Sequence, residues 1–501
     1  MGNKIIWGIT ALSHDAAITV VKGDQILFGA HAERYSRVKN DFYLNKEIVK
    51  EAMQFGYPEQ IVWYEKPWLK KTRQAYSGQW KSVFSKDDIP YFYLQQFLNK
   101  PVGLLNKTFP KITYALHHQS HAAAGAYTSP YDEACVVVLD AIGEWNTCTI
   151  WKFENNNLEL VSESKYPHSF GLLYSAFTQR CELKPNEEEY IMMGMAAYGE
   201  PKYKDIIYND FIQSVYPLKL KQNVHAGIGK YLPGAKLEDL SASIQSIADD
   251  IIEEHVKQAM LLTGMKNVVY QGGVALNCVS NTSLLKHTNN IWIMPNPGDA
   301  GNSLGAAALV NKQKLDWQSP YLGTDIKGNY PIKKIIKELE INKICGVANG
   351  RAEFGPRALG NRSLLADPRG GDIKDKVNEI KRRQKFRPFA PAILKEHLHT
   401  YFELDTDDSP YMQFVCKAKP QTVQKFPAIV HFDNTARVQT VGQDDNTGFR
   451  ALLEKWYEKT GCPILLNTSL NIRGEPLVNN ESQAKDFEEK YNIKVYTQEE
   501  N

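Results

Sequence analysis

The chain has 501 residues, of which 43% are hydrophobic and 23% charged. These globular proportions exclude a largely disordered or fibrous chain, and the length is more than one hydrophobic core usually serves, which predicts two to four domains. Lys+Arg total 59 against 57 Asp+Glu, a formal charge of +2, so there is no global case for a nucleic-acid or membrane-surface binder.

The first residues, MGNKIIWGITALSHDAA, lack the apolar core and cleavage site of a signal peptide. They predict a strand over 4–10, a turn at Ser13-His14-Asp15, a second strand over 16–21 and, after Gly23-Asp24, a third over 25–30. A similar unit recurs, with strands over 135–139 and 147–153 around the turn Asp140–Asn146, and a further strand over 158–161. Two such units, each with an Asp in its first turn, suggest an internal duplication. Between and after them, helices are predicted over 45–55, 118–127 and 241–264. A buried strand over 267–270 then leads into Gln271-Gly272-Gly273, an alternation that indicates α/β layers. The Pro- and Gly-bearing stretch 311–331 reads as a domain boundary, 344–347 as a strand, and 483–501 as a charged, frayed tail. No apolar run approaches the roughly 18 residues needed to span a bilayer. Seven scattered cysteines without a CxxC pair fit a reducing cytoplasm rather than a disulfide framework.

His117 and His121 stand at i and i+4, so on a helix both imidazoles share one face. Alone, such a pair serves equally well as ordinary hydrogen-bonding side chains. Asp140 at a strand end and Asp299 in Pro297-Gly298-Asp299-Ala300-Gly301 add carboxylates, a set suited to Fe(II), Mn(II) or Zn(II) rather than Ca(II). Gly272-Gly273-Val274-Ala275 and the 298–305 stretch are Gly-rich loops whose backbone N–H groups could cradle phosphates. No GxxxxGK[ST] sequence occurs, which disfavours a P-loop NTPase.

In the last third, Arg351, Arg357, Arg362, Lys381, Arg382, Arg383, Arg387 and Arg437 fall among Gly, Pro and Phe rather than alternating with Glu along a helix. That setting favours a pocket for phosphate or carboxylate oxygens over a solvated charge face.

Taken in order, these motifs resemble the NodU/CmcH-type O-carbamoyltransferases over nearly the whole chain. The N-terminal matches are His14-Asp15, Glu33-Arg34-Tyr35-Ser36-Arg37 with Lys39, His117-x-x-x-His121, Leu139-Asp140, Met193-Gly194-Met195-Ala196, Gly272-Gly273-Val274-Ala275 and Gly298-Asp299-Ala300-Gly301. The C-terminal matches are the stretch from Gly350 to Gly360, Lys381-Arg382-Arg383, Phe386-Arg387-Pro388-Phe389-Ala390-Pro391, Ala436-Arg437-Val438-Gln439-Thr440 and Leu466-Asn467-Thr468-Ser469. Lys381-x-Arg383 with Ser469-x-Asn471 matches the KxR…SxN pattern of YrdC domains, whose usual Glu after KxR is Gln384 here and whose next aromatic is Lys385.

The resemblance implies an α/β protein with a duplicated actin-like (ASKHA) domain over 1–325 and a YrdC-like domain over 326–501. It implies that carbamoyl phosphate and Mg-ATP form carbamoyl-adenylate on Arg351, Arg357, Lys381, Arg383, Arg387, Arg437, Asn467, Ser469 and Asn471. The carbamoyl group then passes to the hydroxyl of a small-molecule, sugar or nucleoside acceptor. In the N-terminal domain it implies a divalent metal, Fe(II) foremost, on His117, His121, Asp140 and Asp299, and nucleotide on Gly272, Gly273, Val274, Asn277, Gly298 and Asn302. Asp15 is then the base with His14 beside it, and Lys39 orients the intermediate. A cytoplasmic enzyme is expected, with no membrane partner and a homodimer left open. The rival readings are an ASKHA-fold sugar kinase or ATPase, which needs no Arg cluster, and a non-catalytic nucleotide- or RNA-binding module.

Overall fold

A computed structural model describes residues 4–85, 89–98, 109–385 and 387–499. Strands β1 (Ile5–Thr10), β2 (Ala17–Lys22), β3 (Gln25–His31), β4 (Gln60–Trp63) and β5 (Lys111–Tyr114) form one sheet in the order β3-β2-β1-β4-β5. A second sheet contains β6 (Ala134–Leu139), β7 (Asn146–Glu154) and β8 (Asn157–Lys165). After the small hairpin of β9 (Ile212–Ser214) and β10 (Lys219–Leu220), it is completed by β11 (Val268–Gln271) and β12 (Ile291–Trp292).

The two five-stranded sheets repeat one topology. In each, the first strand pairs antiparallel with the second and the second with the third. In each, the first strand also pairs parallel with the fourth, and the fourth with the fifth. Sequence follows position: β1 and β6 are apolar on both faces and central, whereas edge strand β8 alternates polar residues toward solvent. One core joins the first sheet to the 117–128 and 302–311 helices; another joins the second sheet to the 237–263 helix.

Small residues let these layers close. A Cβ on Gly8 would lie 1.7 Å from the Ser303 carbonyl oxygen, and one on Gly305 would lie 1.8 Å from that of Ser120. The helix that carries the two histidines is thus pressed directly on the 302–311 helix that follows Asp299.

The remaining strands are β13 (Tyr321–Ile326), β14 (Ile344–Ala348), β15 (Gly350–Glu353), β16 (Arg362–Ala366), β17 (Ala390–Leu394), β18 (Phe402–Glu403), β19 (Cys416–Ala418), β20 (Thr435–Ala436), β21 (Gln439–Val441), β22 (Ile464–Ser469) and β23 (Val495–Tyr496). Six of them make a mixed sheet in the order β21-β17-β22-β16-β14-β23. β13 pairs with β15, and β18-β19-β20 form a small separate sheet.

Two expectations are corrected. The 311–331 stretch is not wholly a linker, because β13 lies within it and pairs antiparallel with β15. The frayed tail is instead the helix Glu481–Tyr491, capped by the Asn480 side chain and burying Ala484 and Phe487, followed by β23 on β14. The 117–128 helix starts one residue earlier than expected, which puts His117 in its first turn. All seven cysteines are buried and unpaired. No helix among the described residues is long and apolar enough to cross a membrane.

A candidate metal centre and a cation pocket

Asp140 ends β6, Asp299 opens the short turn before the 302–311 helix, and His117 and His121 share one helix face. Their side chains converge. His117 Nε2 lies 3.1 Å from His121 Nε2, 3.2 Å from Asp140 Oδ2 and 3.5 Å from Asp299 Oδ1. His121 Nε2 lies 3.4 Å from Asp299 Oδ1 and 3.9 Å from Asp140 Oδ2. Ligands bonded at about 2.1 Å to one ion stand roughly 3–4.2 Å apart, so this donor set fits a divalent metal as it stands.

Burial alone would raise both carboxyls; the two imidazoles outweigh it, holding Asp140 at about 2 and Asp299 well below the usual range. Asp140 Oδ1 also accepts the Gly273 N–H at 3.0 Å. At Gly272, φ is +93°, and a Cβ would meet the Leu139 carbonyl oxygen at 2.1 Å, so only glycine lets this loop reach the carboxylate. Glu144, which the sequence did not single out, accepts the backbone N–H of His117 and that of Lys66, fixing the start of the histidine helix. His118 is no ligand: its Nδ1 meets Thr149 Oγ1 at 3.1 Å, and burial holds it neutral, at about 3.

His14 and Asp15 border this centre. His14 Nδ1 lies 2.9 Å from Asp15 Oδ2. Burial pulls the imidazole down, but the Asp15 bond and charge, with a smaller contribution from Asp299, push it up to about 9. Lys39 is paired with Glu33 at 2.8 Å. Arg73, also unforeseen, is buried nearby with its Nε unpartnered. Of the loop residues, Asn277 caps the 278–284 helix, its side-chain Oδ1 accepting the Ser280 N–H while its Nδ2 donates to Gln245 Oε1. Val274 is half-buried, and a Cβ on Gly298 would meet only Leu276 Cδ1, at 4.0 Å. Asn302 is fully buried, and neither end of its amide has a partner.

The C-terminal cations divide into two groups. Arg351 and Arg362 are committed to backbone carbonyls, Arg351 to Leu27 and Gly323, and Arg362 to Asn349, Gly350, Thr324 and Asn479. They stand apart from the rest. Burial first, and neighbouring guanidiniums second, instead lower the pKa values of Arg357, Lys381, Arg383 and Arg387, with Arg437 among the neighbours that act on the three arginines.

Lys381 is buried and donates to Ser469 Oγ at 3.1 Å and Asn471 Oδ1 at 3.0 Å, closing the KxR…SxN set. Arg383 donates to Asn378 Oδ1 and lies over the Phe389 ring. Glu353 Oε1 accepts the N–H groups of Leu359, Asn361 and Arg362, which shapes the loop presenting Arg357. Asn467 serves as a strut between Ala358 and Gln439. Phe386 lies outside the described residues. Among the described residues none of the five cations is paired with a carboxylate, and Arg437 Nε is buried without a partner. Converging, half-buried positive charges without a counter-charge are costly unless an anion enters.

Two family models match the chain: the carbamoyltransferase N-terminus over residues 5–308 and the carbamoyltransferase C-terminus over 336–500. The chain belongs to the carbamoyltransferase family. This carbamoyltransferase is 34% identical to the uncharacterized protein sll1178 of Synechocystis, over 94% of its own length and 92% of that protein's. It is 27% identical to nodulation protein NolNO of Sinorhizobium fredii, over 94% and 76% of the two chains. It is 26% identical to the 3'-hydroxymethylcephem-O-carbamoyltransferase of Amycolatopsis lactamdurans, over 93% of each.

Proposed function

We propose that this carbamoyltransferase is an O-carbamoyltransferase that activates its donor with ATP. The carrying observation is the carboxylate-free pocket of Arg357, Lys381, Arg383, Arg387 and Arg437, in a chain that also holds the His117–His121–Asp140–Asp299 centre. On this reading the halves are a duplicated actin-like domain over 1–325 and a YrdC-like domain over 326–501, in a cytoplasmic enzyme. The repeated topology of the two five-stranded sheets supports the first assignment, and the meeting of Lys381 with Ser469 and Asn471 supports the second.

In the cation pocket, carbamoyl phosphate gives up its phosphoryl group to water. The freed carbamate oxygen attacks the α-phosphorus of Mg-ATP, and pyrophosphate leaves. The guanidiniums and Lys381 neutralise charge that builds on the phosphoryl oxygens. At the N-terminal centre, Asp15, with His14, takes the proton of an acceptor hydroxyl. Its oxygen then attacks the carbamoyl carbon, and AMP departs to leave the carbamate ester. Gly272, Gly273, Val274, Asn277, Gly298 and Asn302 border the nucleotide, and Lys39 orients the intermediate. A bound Fe(II), with Mn(II) or Zn(II) as substitutes, would supply Lewis-acid neutralisation of the leaving phosphate. The acceptor is a small molecule, sugar or nucleoside bearing a free hydroxyl.

The test combines labelled carbamoyl phosphate, ATP and a panel of hydroxyl compounds, with product masses as the readout. ATP cleavage to AMP and pyrophosphate that depends on carbamoyl phosphate supports the scheme. Cleavage to ADP, indifferent to carbamoyl phosphate, would replace it with the kinase or ATPase reading.

A further inference from the structure

The motif Met193-Gly194-Met195-Ala196 plays no part in the scheme above, yet the segment that carries it lies between the two halves. The helix Glu189–Met195 and the turn Ala196–Tyr198 belong to the N-terminal half. Glu188, just before the helix, pairs with Arg473 of the C-terminal half at 2.7 Å. Tyr190 lies under the Arg387 guanidinium, 4.8 Å from ring centre to Arg387 Cζ. Tyr198 stacks on Phe432, with ring centroids 4.7 Å apart. On the other side, Met193 Sδ is 4.0 Å from Cys278 Sγ, one residue past Asn277.

Arg387 donates no hydrogen bond to a carboxylate among the described residues, and Tyr190 holds its guanidinium through both the ring face and the phenol oxygen, which lies within hydrogen-bond reach. The phenol is also within electrostatic reach of Arg357 and Arg383. Tyr190 is 43% exposed, an open aromatic surface where the cation pocket opens.

We propose that Tyr190, contributed by the N-terminal half, is a positioning residue of the C-terminal anion site. Its ring fixes the Arg387 guanidinium toward the phosphate or acyl-phosphate group, so the pocket is complete only when the two halves are docked. This rests on the functional reading above for the identity of the anion, but not for the geometry.

The experiment uses the full chain with Tyr190→Leu, Tyr190→Phe and, as an interface control, Tyr198→Leu, which removes a ring stacked on Phe432 between the halves. Pyrophosphate release without acceptor is followed against carbamoyl phosphate concentration, and inorganic phosphate binding is measured by calorimetry. Tyr190→Leu is expected to raise both the carbamoyl phosphate KM and the phosphate Kd by about 3- to 30-fold, the range of a cation–π contact, with a smaller effect on kcat. Tyr190→Phe, which keeps the ring and removes only the hydroxyl, loses less than Tyr190→Leu, and Tyr198→Leu, which loosens the docking without removing Tyr190, also has the smaller effect. The inference is overturned if Tyr190→Leu leaves both constants unchanged, or if Tyr198→Leu reproduces its effect. Should the wild-type chain release no pyrophosphate, the functional reading fails while the phosphate Kd still decides the role of Tyr190.

Discussion

Arg357 offers a test in which stability and binding move in opposite directions. Its guanidinium is held at about 9 instead of 12.5, by burial first and by Arg437 second. That difference corresponds to about 5 kcal/mol set against the charged form. Part of the side chain reaches solvent, so screening leaves roughly 2 kcal/mol. Replacing the group by Met keeps the aliphatic stem and removes the charge. The Arg357→Met chain, free of anions, should therefore be more stable than wild type by about 1–2 kcal/mol. Phosphate reverses the order: at 100 times its Kd it stabilises the wild-type chain by about 2.7 kcal/mol and the variant much less. The assay is thermal and urea unfolding at pH 7.5 over a phosphate series, with chloride added to hold ionic strength constant. If Arg357→Met is the less stable chain in anion-free buffer, or if both chains gain equally from phosphate, the cations do not form an unpaired anion site.

Asp15 sits at φ +51°, a left-handed position that Asn tolerates, so Asp15→Asn should fold, keep its metal and lose transfer by on the order of 10²–10⁴-fold. NMR titration should show the His14 pKa falling from about 9 toward its ordinary value; unchanged transfer would move the base elsewhere. Gly305→Ala forces a Cβ to within 1.8 Å of the Ser120 carbonyl oxygen and should cost about 3 kcal/mol or more, with metal lost as the histidine helix shifts; unchanged melting and metal content would refute that packing. His31 accepts an Asn296 amide hydrogen at 3.1 Å, and burial holds it at about 4. The unfolded chain takes up this proton below about 6.5, so stability falls between pH 6.5 and 4 by about 3 kcal/mol. His31→Gln should remove that part of the acid sensitivity, and an identical pH–stability curve would show that His31 is not its source.

The convergence of His117, His121, Asp140 and Asp299 was legible in the sequence because its parts announce themselves locally. Two histidines one helical turn apart, and aspartates in turns after apolar strands, need little tertiary information. Glu144 escaped because it acts through backbone N–H groups from an unremarkable turn. Tyr190 escaped because its partner is nearly 200 residues away and a lone tyrosine on a short helix carries no pattern. Arg351 and Arg362 show where spacing is silent: by residue type they match an anion-binding arginine, yet they donate to backbone carbonyls, and sequence spacing does not distinguish the two uses. β13 was hidden because Tyr321–Ile326 contains Gly, Thr and Asp, and only pairing with β15 makes it a strand. The last helix read as a tail because just Ala484 and Phe487 of its residues are buried.

The arginine ties across the molecule set a schedule for its birth. Arg34 donates to the carbonyls of Glu353 and Gly355, Arg37 to those of Pro476 and Leu477, and Arg351 to that of Leu27. These partners are 319 to 440 residues apart in sequence. At about 5–20 residues per second of synthesis, the guanidiniums of Arg34 and Arg37, just after β3, wait roughly 16–90 s on the ribosome for acceptors not yet made. During that interval the edge strand β3 emerges with part of its intended cover missing, so the nascent chain passes through a period of exposure that the finished protein never revisits.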